Sequence, residues 1–263
     1  MSTLKGTALI TGASSGIGAV YADRLARRGH DLILVARNAD RLNALATRLT
    51  NETGRSIETI AADLTDDGDL ARVEDVLRTD ASITLLLNNA GVGATAPLLQ
   101  SDVGKMAAMV ALNVTALMRL TYSVAPAFAA RGAGTIVNIA STVAITPELL
   151  NGVYAGTKAF VLAFSQSLHH ELADKGIRVQ AVLPGATATD FWDIAGLPVA
   201  HLPGEIVMPA PDMVDAALSG LDQGELVTIP ALPGIADWNA FEAARKALGP
   251  KLSLAAPAGR YAN

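Results

Sequence analysis

Cysteine is absent from the 263 residues, which excludes a disulfide frame, a thiolate nucleophile and any cysteine-held metal. Neither C-x-x-C nor H-E-x-x-H occurs, and no metal site is expected. Aromatic residues are scarce at 4% and charged residues at 17%, against 51% hydrophobic ones. A core so poor in rings has to be built from Ala, Val, Leu and Ile, the mixture that suits helices on a buried parallel sheet, and disorder is excluded as a description of the whole. An excess of positive charge is also missing. Twenty Lys and Arg stand against 25 Asp and Glu, a net charge of -5, without the field that phosphate-backbone binding requires. No nucleic-acid partner is expected. The longest unbroken apolar run covers residues 106–112, far short of the roughly 18 residues of a membrane span. Residues 1–5 lack the charged flank and apolar stretch of a secretory signal. The expectation is a cytoplasmic chain with no membrane partner.

What is present is alternation. Short apolar runs at 7–11, 32–36, 57–61, 83–87, 135–140 and 179–183 have the length and composition of buried strands. Helix-length segments separate them. In 40–49 the residues Leu42, Leu45, Ala46 and Leu49 share one face while Arg41, Asn43, Thr47 and Arg48 lie mostly elsewhere, an amphipathic helix. Parallel strands need crossovers, usually helical, so this series predicts an α/β fold with a doubly wound, mostly parallel sheet of Rossmann type, flanked by helices on both faces. The regularity fails at 189–211, where Pro198, Pro203, Pro209 and Pro211 interrupt an apolar stretch; this reads as a long loop or broken helical lid. A last strand is expected at 226–229 and a short helix near 237–248, with 250–263 as a surface tail or subunit contact. No linker or repeat divides the sequence, which predicts one domain over 1–263 with a substrate lid at 189–211.

The first strand ends in Thr11-Gly12-Ala13-Ser14-Ser15-Gly16-Ile17-Gly18. Glycines at a strand-to-helix junction permit a tight turn and close backbone approach, and the helix N-terminus offers unpaired N–H groups to a pyrophosphate. The spacing G-x-x-x-G-x-G differs from the commoner dinucleotide fingerprint G-x-G-x-x-G. Gly12, Ser14 and Gly16 also satisfy G-x-S-x-G, a nucleophile elbow. A hydrolase using Ser14 would need His169, His170 or His201 to complete a triad, and no His-Gly-Gly oxyanion segment is visible. About 20 residues beyond such glycines, an acid holds a free ribose 2′-hydroxyl and an arginine accommodates a 2′-phosphate. Here the run is Ala36-Arg37-Asn38, so NADP(H) is favoured, with NAD(H) as the lesser option; a solvated Arg37 is the plain alternative. Asp63 is placed to accept a bond from an adenine amino group, or to begin the cap of a helix starting near Thr65. Asn88-Asn89-Ala90-Gly91 follows the fourth strand, where paired amides lock neighbouring loops through backbone bonds.

Tyr154-Ala155-Gly156-Thr157-Lys158 places phenol and ammonium at i and i+4, on one face of a helix. A tyrosine titrates near 10, and an adjacent cation favours the phenolate, which predicts a lowered pKa suited to proton exchange. Ser141 stands just beyond the fifth strand and Asn113 in the preceding helical segment. Combined with the glycine run, Asn88 to Gly91 and the Pro184-Gly185 turn, these residues resemble, over nearly the whole chain, the short-chain dehydrogenase/reductase family in its compact single-domain branch.

The resemblance implies an NADP(H)-dependent oxidoreductase that interconverts a ketone or aldehyde and an alcohol by hydride transfer. Asn113, Ser141, Tyr154 and Lys158 become a catalytic tetrad: Tyr154 the proton donor or acceptor, Lys158 lowering its pKa and holding the nicotinamide ribose, Ser141 bonding the carbonyl oxygen, and Asn113 anchoring a relay water. Cofactor contacts are expected from Gly12, Ser14, Ser15, Gly16, Ile17, Gly18, Arg37, Asp63, Leu64, Asn89, Ala90, Gly91, Tyr154, Lys158, Pro184, Gly185, Thr187 and Thr189. Ser15 and Thr187 depart from residues frequent at those positions, so NADP preference rests mostly on Arg37. Val143, Leu149, Leu150, Phe191 and Trp192 predict a largely apolar substrate pocket. A small-molecule carbonyl or alcohol is the expected partner, and the resemblance suggests a homodimer or homotetramer. A catalytically idle NADP-binding scaffold on the same fold is the main alternative.

Overall fold

The computed structural model describes residues 5–261. Four of the five N-terminal residues read for a signal, and the last two of the tail, lie outside the described residues. Where one domain over 1–263 is expected, the chain forms two compact units, Met1–Pro230 and Ala231–Asn263.

The first unit holds seven parallel strands: β1 (Thr7–Thr11), β2 (Asp31–Ala36), β3 (Ile57–Ala61), β4 (Ile83–Asn88), β5 (Gly134–Ile139), β6 (Ile177–Val182) and β9 (Val227–Thr228). A separate parallel pair joins β7 (Thr187–Ala188) to β8 (Met208–Pro209). The main order is β3-β2-β1-β4-β5-β6-β9. The chain runs outward from β1 to β3, returns to β4 on the other side of β1 and runs outward again. That reversal leaves a crevice above the C-terminal ends of β1 and β4, where open α/β sheets take their ligands.

Both faces of the sheet are covered, which is why its central strands β1, β2 and β4 are largely apolar without alternation. Ala8 and Ile10 point to one side, into a core with α1 (Gly16–Arg27), α2 (Ala39–Thr53) and α8 (Ala210–Asp222); Leu9 points to the other, towards α3 (Asp67–Thr79), α5 (Leu117–Arg131) and α6 (Gly152–Leu172). Each Leu or Ile so buried contributes roughly 1.5–3 kcal/mol. The helix expected at 40–49 is longer because Asn38 caps its start, accepting from Arg41 N at 2.9 Å, and because it runs on to Gly54 at φ +68.

Residues 103–131 form one helical run: α4 (Val103–Val110), a π-turn (Ala111–Ala116) and α5. Its length and mean hydropathy of 1.3 would suffice for a bilayer crossing, although no uninterrupted apolar run in the sequence suggests it. Ala116, Leu120, Val124 and Phe128 instead pack into the core beneath the sheet. Between β7 and α8 the chain makes a five-residue helix, α7 (Phe191–Ala195), and two 3₁₀ turns at 199–201 and 204–206, the segment read as a lid.

In the second unit, α9 (Ile235–Leu248) carries Trp238, buried and packed on Phe241 at 5.4 Å between ring centroids. Two 3₁₀ turns follow, at 249–251 and 259–261.

Candidate active site

A cavity of about 780 Å³ opens above β1 and β4. Its floor at one end is the loop between β1 and α1. Gly12 has φ +64, and a Cβ there would come within 2.8 Å of Ala90 Cα; a Cβ on Gly18 would strike the Gly12 carbonyl. The two loops touch as backbone, and only glycine permits it. Asn89 welds the contact, donating through Nδ2 to Thr11 O at 2.9 Å and Gly12 O at 3.1 Å. Thr11 Oγ1 accepts from Asn89 N and Ala90 N, each at 3.0 Å. Asn88 turns the other way, donating to Thr121 Oγ1 and Asn138 Oδ1 beneath the sheet. The paired amides therefore split their work between the loop and the core. At the start of α1, Ser15 makes no side-chain cap bond and the first turn carries no acidic residue, so its N–H groups face the cavity uncontested.

Ser14, Ser15, Gly16, Ile17, Arg37, Asp63, Leu64, Ala90 and Gly91 line this end with Gly12 and Asn89, whereas Gly18 lies beneath it as packing. Arg37 is 73% exposed and reaches Asp63 Oδ2 at 4.0 Å. Asp63 is not the cap of α3. That role belongs to Asp66, which accepts from Asp69 N at 2.9 Å. Asp63 folds a tight turn, accepting from Thr65 N and Oγ1 at 2.9 and 2.7 Å, and these bonds, aided by Arg37, hold its carboxyl below the usual range. Among the lining residues that the sequence reading did not name as nucleotide contacts are Asn38 and Arg41.

The other end is made of buried side chains. Tyr154 and Lys158 project from α6, whose N-terminus Asn151 caps by accepting from Val153 N and Tyr154 N. Lys158 Nζ lies 5.8 Å from the Tyr154 ring centroid and donates to Ile139 O at 2.9 Å. Ser141, just past β5, makes long bonds of 3.4 Å to Pro184 O and Val143 N, and its hydroxyl neighbours the Tyr154 phenol. Asn113 sits in the π-turn behind the cavity. Its Oδ1 accepts from Val92 N at 3.0 Å, and Nδ2 donates to Val92 O at 2.9 Å and Thr157 Oγ1 at 3.1 Å. Thr157 Oγ1 donates in turn to Tyr154 O at 2.8 Å. The Asn113 side-chain amide thus ties the loop after β4 to α6.

Where the sequence leads one to expect a lowered Tyr154 pKa, the net shift is upward. Burial pushes Tyr154 up to about 12; only the neighbouring Ser141 hydroxyl pulls it down, and the ammonium is not among the causes. Burial also brings Lys158 down to about 8. Removing both groups from water disfavours both charged forms. At neutral pH Tyr154 is a phenol holding its proton.

Val143, Leu149, Leu150, Phe191 and Trp192 line the space beside Tyr154, joined by Ile194, Leu197, Leu202 and Ile206 of the lid. Leu149 lies at the mouth, 67% exposed. Trp192 is buried, donating Nε1 to Thr187 O at 3.0 Å. Pro184, Gly185, Thr187 and Thr189 line the wall between the two ends. Thr187 Oγ1 turns back to Gly185 O at 3.2 Å. Ser14 shares its cavity with none of the chain's histidines, so no triad is assembled around it.

This geometry, a glycine cradle at one end and a buried Ser–Tyr–Lys group at the other, agrees with sequence comparison. The profile of the short chain dehydrogenase family matches residues 6–195. The chain belongs to that family. Serine 3-dehydrogenase of Agrobacterium fabrum is 39% identical to this dehydrogenase over 193 residues, 72% of this chain and 74% of that protein. Among solved structures, a short-chain dehydrogenase of Sphingobium yanoikuyae in complex with NADPH superposes with a TM-score of 0.95 at 52% identity, covering 97% of this chain and 99% of that one. The bulky-bulky ketone specific alcohol dehydrogenase of Comamonas testosteroni gives 0.92 at 49% identity, covering 99% and 100%. This dehydrogenase is accordingly an oxidoreductase acting at a CH–OH or C=O centre.

Proposed function

We propose that this dehydrogenase uses NADP(H) to interconvert a bulky, apolar ketone or aldehyde and its alcohol. The observation that carries the reading is the placement of Tyr154, buried beside Ser141 and Lys158 and facing an apolar chamber continuous with the glycine cradle. The cradle fits a dinucleotide, since the backbone approach at Gly12 leaves no room for a side chain and the α1 N-terminus has no competing acid. The glycine loop and the α1 N–H groups would hold the pyrophosphate, and Lys158 and Thr189 the nicotinamide side. Arg37, with Arg41 beside it, would hold a 2′-phosphate, for which a guanidinium fork is suited and at which no carboxylate ends β2. A bound dinucleotide supplies the hydride.

The rest falls to the chain. Ser141 donates to the substrate oxygen and sets its direction. Tyr154 gives its phenolic proton to that oxygen in reduction and recovers it in oxidation. Lys158, fixed by Ile139 O, stabilises the phenolate when it forms. The apolar wall excludes water and prefers aryl or branched alkyl groups. The ketone specificity of the Comamonas protein and the NADPH of the Sphingobium complex support substrate class and cofactor. Assembly as a homodimer or homotetramer belongs to the same reading, supported by the Tyr122, Phe160 and Phe164 ring stack on α5 and α6, where Tyr122 is largely exposed.

The test is a carbonyl panel run with NADPH and with NADH. Faster turnover of bulky aryl ketones than of sugars or charged acids, with NADPH preferred, is expected. Preference for charged substrates overturns the apolar-chamber argument, and NADPH binding without any turnover favours the idle scaffold.

A further inference from the structure

Phe191 stands on the lid but reaches into the packing around Tyr154, with ring centroids 5.8 Å apart and planes tilted by 47°. Its tip points at the loop after β4. A Cβ built on Gly93 would lie 3.0 Å from both Cε atoms of the Phe191 ring and closer still to Cζ, far inside van der Waals contact. Gly93 is not among the positive-φ glycines, so its lack of a side chain answers no backbone need. What it provides is the slot for that ring.

We infer that Gly93 is a positioning residue for substrate size, holding the Phe191 ring back from the chamber so that a bulky group fits beside Tyr154. The ring has no retreat if the slot is filled. Thr95, two residues along the same loop, donates from N and Oγ1 to Ala195 O at 3.2 and 2.9 Å, which pins the lid helix to the loop that carries Gly93. Trp192 meets Phe191 edge-on at 5.7 Å and is itself tied to Thr187 O. With the backbone pinned and Trp192 fixed, the open volume left to Phe191 is the chamber that it lines. A methyl group at 93 therefore turns the ring into substrate space. The proposal deepens the carbonyl reading and rests on it for its kinetic consequence.

The experiment compares wild type, Gly93→Ala, Phe191→Ala and the double variant on a bulky aryl ketone and a small methyl ketone, with melting curves to establish folding. Gly93→Ala should lower the bulky-to-small ratio of kcat/KM by about tenfold or more, carried by KM rather than kcat, since one methylene's worth of pocket space discriminates on that scale. In the Phe191→Ala background the same substitution should leave the ratio within about twofold, because there is no ring to displace. An unchanged ratio in Gly93→Ala, or an equal fall with and without the ring, overturns the inference. A crystal structure of Gly93→Ala supplies a reading independent of turnover: the ring moved into the chamber is expected, and a ring left in place contradicts it. Wild-type protein inert towards every carbonyl would instead sink the proposed function and leave the structural arm to decide this inference.

Discussion

At the phosphate end of the cleft, recognition falls to backbone: two loops in contact through Gly12, Gly18 and Ala90, welded by Asn89, with the N–H groups of α1 left open. At the reacting end it falls to side chains that the fold has taken out of water, Tyr154 and Lys158 above all. The first end offers backbone dipoles, and its charged side chains, Arg37 and Asp63, stay in contact with water. The second holds an ammonium whose burial opposes folding. One cleft thus joins a cradle that stabilises the fold to a reaction centre that strains it, as expected where pKa values are perturbed for function.

Replacing Lys158 breaks the contrast most severely. Lys158→Met should lower turnover by roughly 10²–10⁴-fold, the range of an acid/base contribution, while relieving the buried charge. The folded pKa of about 8 lies below the ordinary 10.5, so between these values the unfolded chain binds more protons and stability rises with pH. Below about 8 the folded protein carries the full cost of the ammonium. Wild type should gain on the order of 2 kcal/mol relative to the variant between pH 8 and 9.5, measured by denaturant unfolding of both proteins.

At the other end, Gly12→Ala forces a side chain into the left-handed region and against Ala90, at a cost of about 2 kcal/mol or more. Nucleotide affinity should fall by roughly tenfold for each 1.4 kcal/mol that the cradle loses, with the Lys158 pH profile of stability unmoved. Nucleotide titration and melting curves check this together. The smallest effect is expected at the cleft's outer rim. Arg37→Ala should weaken NADPH by about tenfold, the loss of one charge-assisted contact, and leave NADH within about twofold; equal loss for both would remove Arg37 from 2′-phosphate recognition.

Legibility in the sequence followed the same divide. Central strands buried on both faces show as apolar runs, and β1 to β6 were visible in the sequence to within a residue or two, the edge strand β3 among them although it carries Glu58 and Thr59 and is only half-buried; the glycine run marked the cradle because its spacing is local. Tyr154 and Lys158 were legible as a pair four apart on a helix. Their pKa directions were not, because burial is a property of the whole fold and no local spacing reports it. The π-turn around Asn113 was hidden for a related reason: partners 21 and 44 residues away, Val92 and Thr157, hold its side chain. The lid showed only as irregularity, since α7 and the strand pair β7–β8 are too short to set a period. Arg41 was read as the polar face of α2, and the cavity beside it became visible only once β2 and β3 were laid next to each other.

The division of labour between the two ends is tested most directly by Tyr154→Phe, with NADPH binding measured by fluorescence titration and turnover of a bulky aryl ketone followed in the same samples. The separation predicts binding close to wild type with turnover reduced by about 10³-fold or more. Retained turnover, or binding lost along with it, would contradict the account.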